Sequence, residues 1–119
     1  HRAYDLVSLL EDARRDVSPT LADSMLARYI AEAGVEAETF TAAFHWMGAQ
    51  RNLRILGVFA RLGLRDGKPQ YIDLIPRVWA HLRTDLRHPA LAPLADLLTE
   101  VLPPPDPQVL ARLRAGCIR

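Results

Sequence analysis

The sequence predicts an all-α fold, about six helices packed around one long central helix, on three observations. Apolar residues recur at steps of three and four along almost the whole chain. Alternation of apolar and polar residues never persists long enough for a half-buried strand. And the stretch from about Phe40 to Leu64 carries two opposed apolar stripes, where a surface helix needs only one. Phe40, Phe44, Met47, Ile55, Val58 and Leu62 form the first stripe, and Trp46, Ala49, Leu53, Leu56, Ala60 and Leu64 the second. A helix patterned on both sides is clamped between neighbours. Polar seams separate the stripes, Thr41, His45 and Asn52 on one side and Gln50, Arg54 and Arg61 on the other. Arg51 breaks the pattern, because it falls in the middle of the first stripe, between Met47 and Ile55. A guanidinium there must pair with a carboxylate of a neighbouring helix, snorkel to water, or face a ligand.

Each element has a local reason. Ala3 to Arg14 reads as a helix with Leu6, Leu9, Leu10 and Ala13 inward and Glu11, Asp12, Arg14 and Arg15 outward or bridging. Ser18-Pro19 supplies an N-cap and a first-turn proline for a second helix, to about Ala33, which Gly34 stops. Its apolar positions are Leu21, Met25, Leu26, Tyr29 and Ile30. The central helix ends near Gly63, and Arg65-Asp66-Gly67-Lys68-Pro69 is a turn. A fourth helical stretch runs from about Tyr71 to Leu86, with Pro76 kinking it or starting its main part. Its stripe is Ile72, Ile75, Trp79 and Leu82. Pro89 begins a short fifth helix, Pro103-Pro104-Pro105 is a stiff extended spacer, and Asp106-Pro107 caps a last helix.

At 119 residues with half of them hydrophobic, the chain reads as a single domain, residues 1–119, with room for a core. A formal net charge of +1 gives no pull toward nucleic acid or an anionic membrane. Arg51, Arg54 and Arg61 line one helix, but no aromatic platform accompanies them. No apolar run reaches the roughly 18 residues of a membrane span. A lone cysteine, Cys117, permits no internal disulfide, which fits a reducing cytoplasm.

Catalytic patterns are missing. The glycines are scattered, so neither a phosphate-cradling loop nor a dinucleotide fingerprint can be drawn. No cysteine pair exists for zinc, and no serine sits in a motif that would activate its hydroxyl. His81, Asp85 and His88 share a helix face at metal-ligand spacing, but Pro89 follows at once and cations are favoured in a last turn anyway, so no metal ligand is assigned. His45, beside Asn52 in a polar seam, reads as a hydrogen-bonded structural histidine.

Two segments carry a resemblance. Arg2 to Arg14 (RAYDLVSLLEDAR) resembles the stretch just after the metal-binding Asp segment of aminoglycoside-phosphotransferase-like kinases. Gln50 to Val78 resembles the C-terminal helical region of the branch that includes the anomeric kinases of N-acetylmuramate and N-acetylglucosamine, used in cell-wall recycling, and the tail from His88 to Pro105 has the look of that family's end. The resemblance implies the helical part of a kinase-like C-lobe. The glycine-rich loop, the nucleotide-binding Lys, the catalytic loop and the magnesium-holding Asp are then expected upstream, and ATP or GTP with Mg is the cofactor of the full-length enzyme alone. The partners it implies are a small-molecule acceptor, an amino sugar above all, and the rest of the kinase's own lobes. Asp5, in a YDL element, would support the catalytic loop by accepting from its backbone amides, although a first-turn carboxylate is favourable in any helix. Gln50, Arg51 and Asn52 are the candidate acceptor-binding residues, Arg51 suiting a carboxylate-bearing sugar. The competing reading is a non-catalytic helical module that holds another protein's helix in a groove.

Overall fold

The computed structural model describes residues 1–117. Among them six α-helices follow one another: α1 (Arg2–Leu10), α2 (Pro19–Ala33), α3 (Ala37–Leu64), α4 (Ile75–Leu86), α5 (Ala92–Val101) and α6 (Pro107–Ala115). Short 3-10 turns, Pro69–Leu74 and Pro89–Leu91, lead into α4 and α5.

Caps set these boundaries. The Ser18 hydroxyl accepts from the Leu21 amide at 3.1 Å, and Gly34 closes α2 at φ 65°, a left-handed conformation that glycine takes without a Cβ clash. The central helix starts three residues earlier than its apolar pattern indicated, because the Glu36 carboxylate accepts from both Glu38 and Thr39 amides and nucleates the turn before Phe40. Pro76 stands in the first turn of α4, where its missing N–H costs nothing, so it starts the helix proper and the residues before it wind as 3-10. Asp106 caps α6 through the Val109 amide at 2.8 Å.

With 28 residues, α3 spans about 42 Å at 1.5 Å per residue. It is the spine of a molecule whose extents are 50 × 28 × 23 Å. α1, α2, α4 and α6 pack on it, and α5 leans on α4. The two stripes serve two separate apolar clusters. Phe40, Phe44 and half-buried Met47 meet Ala3, Leu6, Val7 and Leu10 of α1 and Leu26 of α2. Ala49, with half-buried Leu53 and Leu56, meets Leu82 and Leu91 and the flank of Trp79. The pattern fails at four positions: Trp46 and Leu64, at the edge of the second stripe, and Leu21 at the start of α2 are exposed, and Leu9, expected inward on α1, is 50% exposed while Val7 is buried in its place. α1 also stops at Leu10 rather than Arg14, which redirects the residues after it. Arg77 then fastens that turn to α4 by donating to the Ala13 carbonyl at 3.2 Å. Asp73 and Arg114 pair at 2.7 Å and hold α6 to the turn before α4.

Leu82 is fully buried where α4 meets α3. Leu82→Ala should cost about 2–5 kcal/mol of unfolding free energy, read by denaturant titration, since both the transferred atoms and the residual cavity count.

Candidate functional site

Between the two apolar clusters lies a polar knot drawn from three helices. At the end of α1, Glu11 takes the C-cap position at φ −116°, ψ 31°, with its N–H on the Val7 carbonyl. The chain leaves the helix there, so the Glu11 side chain turns inward and is only 5% exposed, the bridging rather than the outward of the two positions its pattern allowed. On α3, Asn52 is fully buried, and its Nδ2 donates to Glu11 Oε1 at 3.2 Å and to Asp85 Oδ2 of α4 at 3.1 Å. The second oxygen of Asp85 lies 2.9 Å from His45 Nδ1. Gly48 makes this approach possible. A Cβ there would stand 2.3 Å from Asp85 Oδ2 and 2.6 Å from Glu11 Oε1, closer than real atoms come.

No Lys or Arg pairs with either buried carboxyl among the described residues. Burial first, and the neighbouring Asp85 charge second, push the Glu11 carboxyl up to about 9. Burial pushes Asp85 up to about 7, against hydrogen bonds from Glu11 and Asn52 that stabilise its charged form. The proton belongs on Glu11, because Asp85 receives both Asn52 and His45 whereas Glu11 receives Asn52 alone. Burial lowers His45, which makes it a neutral imidazole with Nδ1–H on Asp85 and Nε2 free to accept.

Two hollows flank the knot. One, of about 240 Å³, is bordered by Glu11, Asp23, His45, His81 and Arg87. The other, of about 280 Å³, is lined by Asp12, Arg14, Arg51, Ile55, Phe59 and Tyr71. In the second, Asp12 takes a two-pronged grip from Arg14, at 3.2 and 3.1 Å, which holds the Asp12 carboxyl below its ordinary range. The Phe59 and Tyr71 rings stand 5.3 Å apart as an apolar wall. Arg51 forms no ion pair among the described residues, and its buried Nη1 has no hydrogen-bond partner.

The residues that sequence reasoning singled out are not all brought together. Arg51 lines the second hollow, the neighbouring Gln50 is exposed, and Asn52 is sealed in the polar knot. Successive helical residues point about 100° apart, so three in a row cannot share one wall. Asp5 is exposed on the first turn of α1. The His81, Asp85 and His88 trio does not converge: Asp85 turns to α3, and His88 Nδ1 accepts from the Ala90 amide as the cap of the next turn. Among the described residues no group of three such side chains is arranged to hold a metal ion. Glu11 and Asp85 were not anticipated as partners. The available signal was the spacing of His45, Gly48 and Asn52, which puts two polar side chains and a gap on one face of an apolar helix.

Gly48→Ala tests the knot directly. The methyl must displace two hydrogen-bonded carboxyls, so a loss of about 1–3 kcal/mol is expected from overpacking, measured by thermal or denaturant unfolding.

No family model matches the chain. Curated proteins do. The chain is 50% identical over 95 residues to the N-acetylmuramate/N-acetylglucosamine kinase of Caulobacter vibrioides, which covers 79% of this chain and 26% of that protein. The proteins of the same name from Neisseria meningitidis and Pseudomonas putida are 40% and 36% identical over 108 and 106 residues, covering 84% and 82% of this chain and 32% and 31% of their own lengths. The chain thus spans about a quarter to a third of the relatives it matches. Its sequence places this helical chain in the family of the N-acetylmuramate/N-acetylglucosamine kinases, of which it matches one part.

Proposed function

We propose that residues 1–119 are the C-terminal helical subdomain of a small-molecule kinase that transfers the γ-phosphoryl group of ATP or GTP, with Mg, to an amino-sugar hydroxyl in the cytoplasm. The observation that carries this reading is the 50% identity to a sugar kinase across 95 residues. Phosphoryl transfer runs on positioning and charge neutralisation, and the phosphate-cradling loop, catalytic Asp and metal ligands it needs form no pattern in this sequence. The role left to this chain is scaffold and acceptor wall. Asp5, exposed at the start of α1, is available to brace a catalytic loop contributed by the rest of the lobe. On the acceptor side the second hollow is the better supported surface, because it joins a guanidinium that forms no ion pair among the described residues to an aromatic wall that suits the apolar face of a sugar ring. Gln50 stands on the open side of the same helix, and Asn52 acts from behind, through the packing of α1 and α4.

Arg51 distinguishes the two sugars named in the relatives, since N-acetylmuramate carries a carboxylate and N-acetylglucosamine does not. In the full-length kinase, Arg51→Leu should raise the KM for N-acetylmuramate by about 10–100-fold, the value of one charge-assisted hydrogen bond, and leave that for N-acetylglucosamine within about threefold. Steady-state kinetics with both acceptors decides. Equal changes, or none in a stably folded variant, would remove Arg51 from the acceptor site. A Leu variant that is more stable with unchanged kinetics would make Arg51 a packing residue.

A further inference from the structure

The polar knot has a property beyond holding helices together. Two carboxyls, 5% and 0% exposed, converge on one Asn52 Nδ2, and among the described residues no Lys or Arg pairs with either to make both charges tolerable. We infer that Glu11 and Asp85 form a one-proton clamp, which fastens the C-terminal end of α1 to α3 and α4 and lets go when that proton leaves. In the closed form a Glu11 O–H donates to the Asp85 carboxylate, while Asp85 also accepts from Asn52 and His45. When the proton passes to solvent, two adjacent buried carboxylates face each other with only those donors between them.

The surroundings offer no substitute proton. On α3, His45 is held neutral by burial, and its one donor nitrogen already serves Asp85. The His88 ring packs 5.3 Å from His45, adding bulk but no hydrogen bond to the pair. From α2, Asp23 adds further negative charge on the hollow side. From α4, His81 is kept neutral by burial and by Arg77 and Arg51, so it supplies no compensating charge. Arg87 borders the hollow but donates to neither carboxyl among the described residues. Gly48 leaves no side chain to shield one carboxyl from the other. The inference does not depend on the kinase reading.

The sign follows from linkage. The folded chain keeps a proton on Glu11 up to about 9, whereas the unfolded chain releases it near 4.5. The stability this proton contributes is fully present below 4.5 and is lost as pH rises through about 9. Asp85, raised from 3.8 to about 7, adds to the same trend at the acid end of that window. Across the window each proton held only by the folded state lowers the folding equilibrium constant about tenfold per pH unit.

Glu11→Gln keeps the shape, offers an N–H to Asp85, and cannot lose a proton. Denaturant unfolding of the wild-type chain and this variant, from about pH 6 to about pH 9, should show the wild type losing stability about tenfold per pH unit faster than the variant. On wild-type protein, carboxyl-carbon NMR should find Glu11 still protonated at neutral pH, and the Leu10 and Glu11 amide resonances should move with the same midpoint. This second measurement stands even if the variant fails to fold. Parallel slopes for the two proteins, a Glu11 carboxyl titrating in the ordinary carboxylate range, or a titration that leaves the α1 amides unmoved would each overturn the clamp.

Discussion

Two acids are buried against one small notch, and the rest of the packing is arranged around that fact. Desolvating two carboxyls without a cation is tolerable only if they carry one charge between them and every available donor is aimed at it. Asn52 and His45 supply the donors from α3, and Gly48, between them in sequence, removes the side chain that would keep α1 and α4 apart. The helix that carries all three can therefore be approached closely from two sides. Its apolar stripes then find partners on each of them: α1 and α2 on Phe40 and Phe44, and α4 with the turn before α5 on Ala49.

Under the proposed reading, this division of labour is that of one part of a kinase. The relatives are kinases three to four times longer than the stretch they share with this chain. Under the function proposed above, a helical body with Arg51, Phe59 and Tyr71 lining one hollow would supply positioning and leave the phosphate chemistry to other parts of the kinase. Rigidity in such a wall comes from buried, oriented contacts. The knot beside the Arg51 hollow provides them.

Much of the architecture was readable because it is local. Ser18-Pro19, Gly34 and Asp106-Pro107 mark helix ends by mechanisms that act within a few residues, and each stands where the structure begins or ends a helix. The double stripe of α3 was readable for the same reason, since period alone reveals it. What sequence reasoning lost was non-local. Glu11 reads from the sequence as outward or bridging, and its position just past the last turn of α1 sends it inward to partners on α3 and α4 that no local pattern names. Asp85 looks like a partner for His81 and His88 on its own helix, yet its partners lie 33 and 40 residues away on α3. Gln50, Arg51 and Asn52 were grouped by the family resemblance of their segment, and the helix disperses the run to solvent, hollow and interior.

The length of α3 has one more consequence. Because one apolar cluster grips its first third and the other its middle, with hydrophilic contacts between them, the two halves are coupled along a stiff rod, through the buried polar junction and through the Arg77 bond to the turn after α1. Defects introduced separately into the two clusters ought to combine almost independently, whereas damage at the junction would be felt by both. The molecule is built as a beam with two bearings and a polar joint at its midpoint.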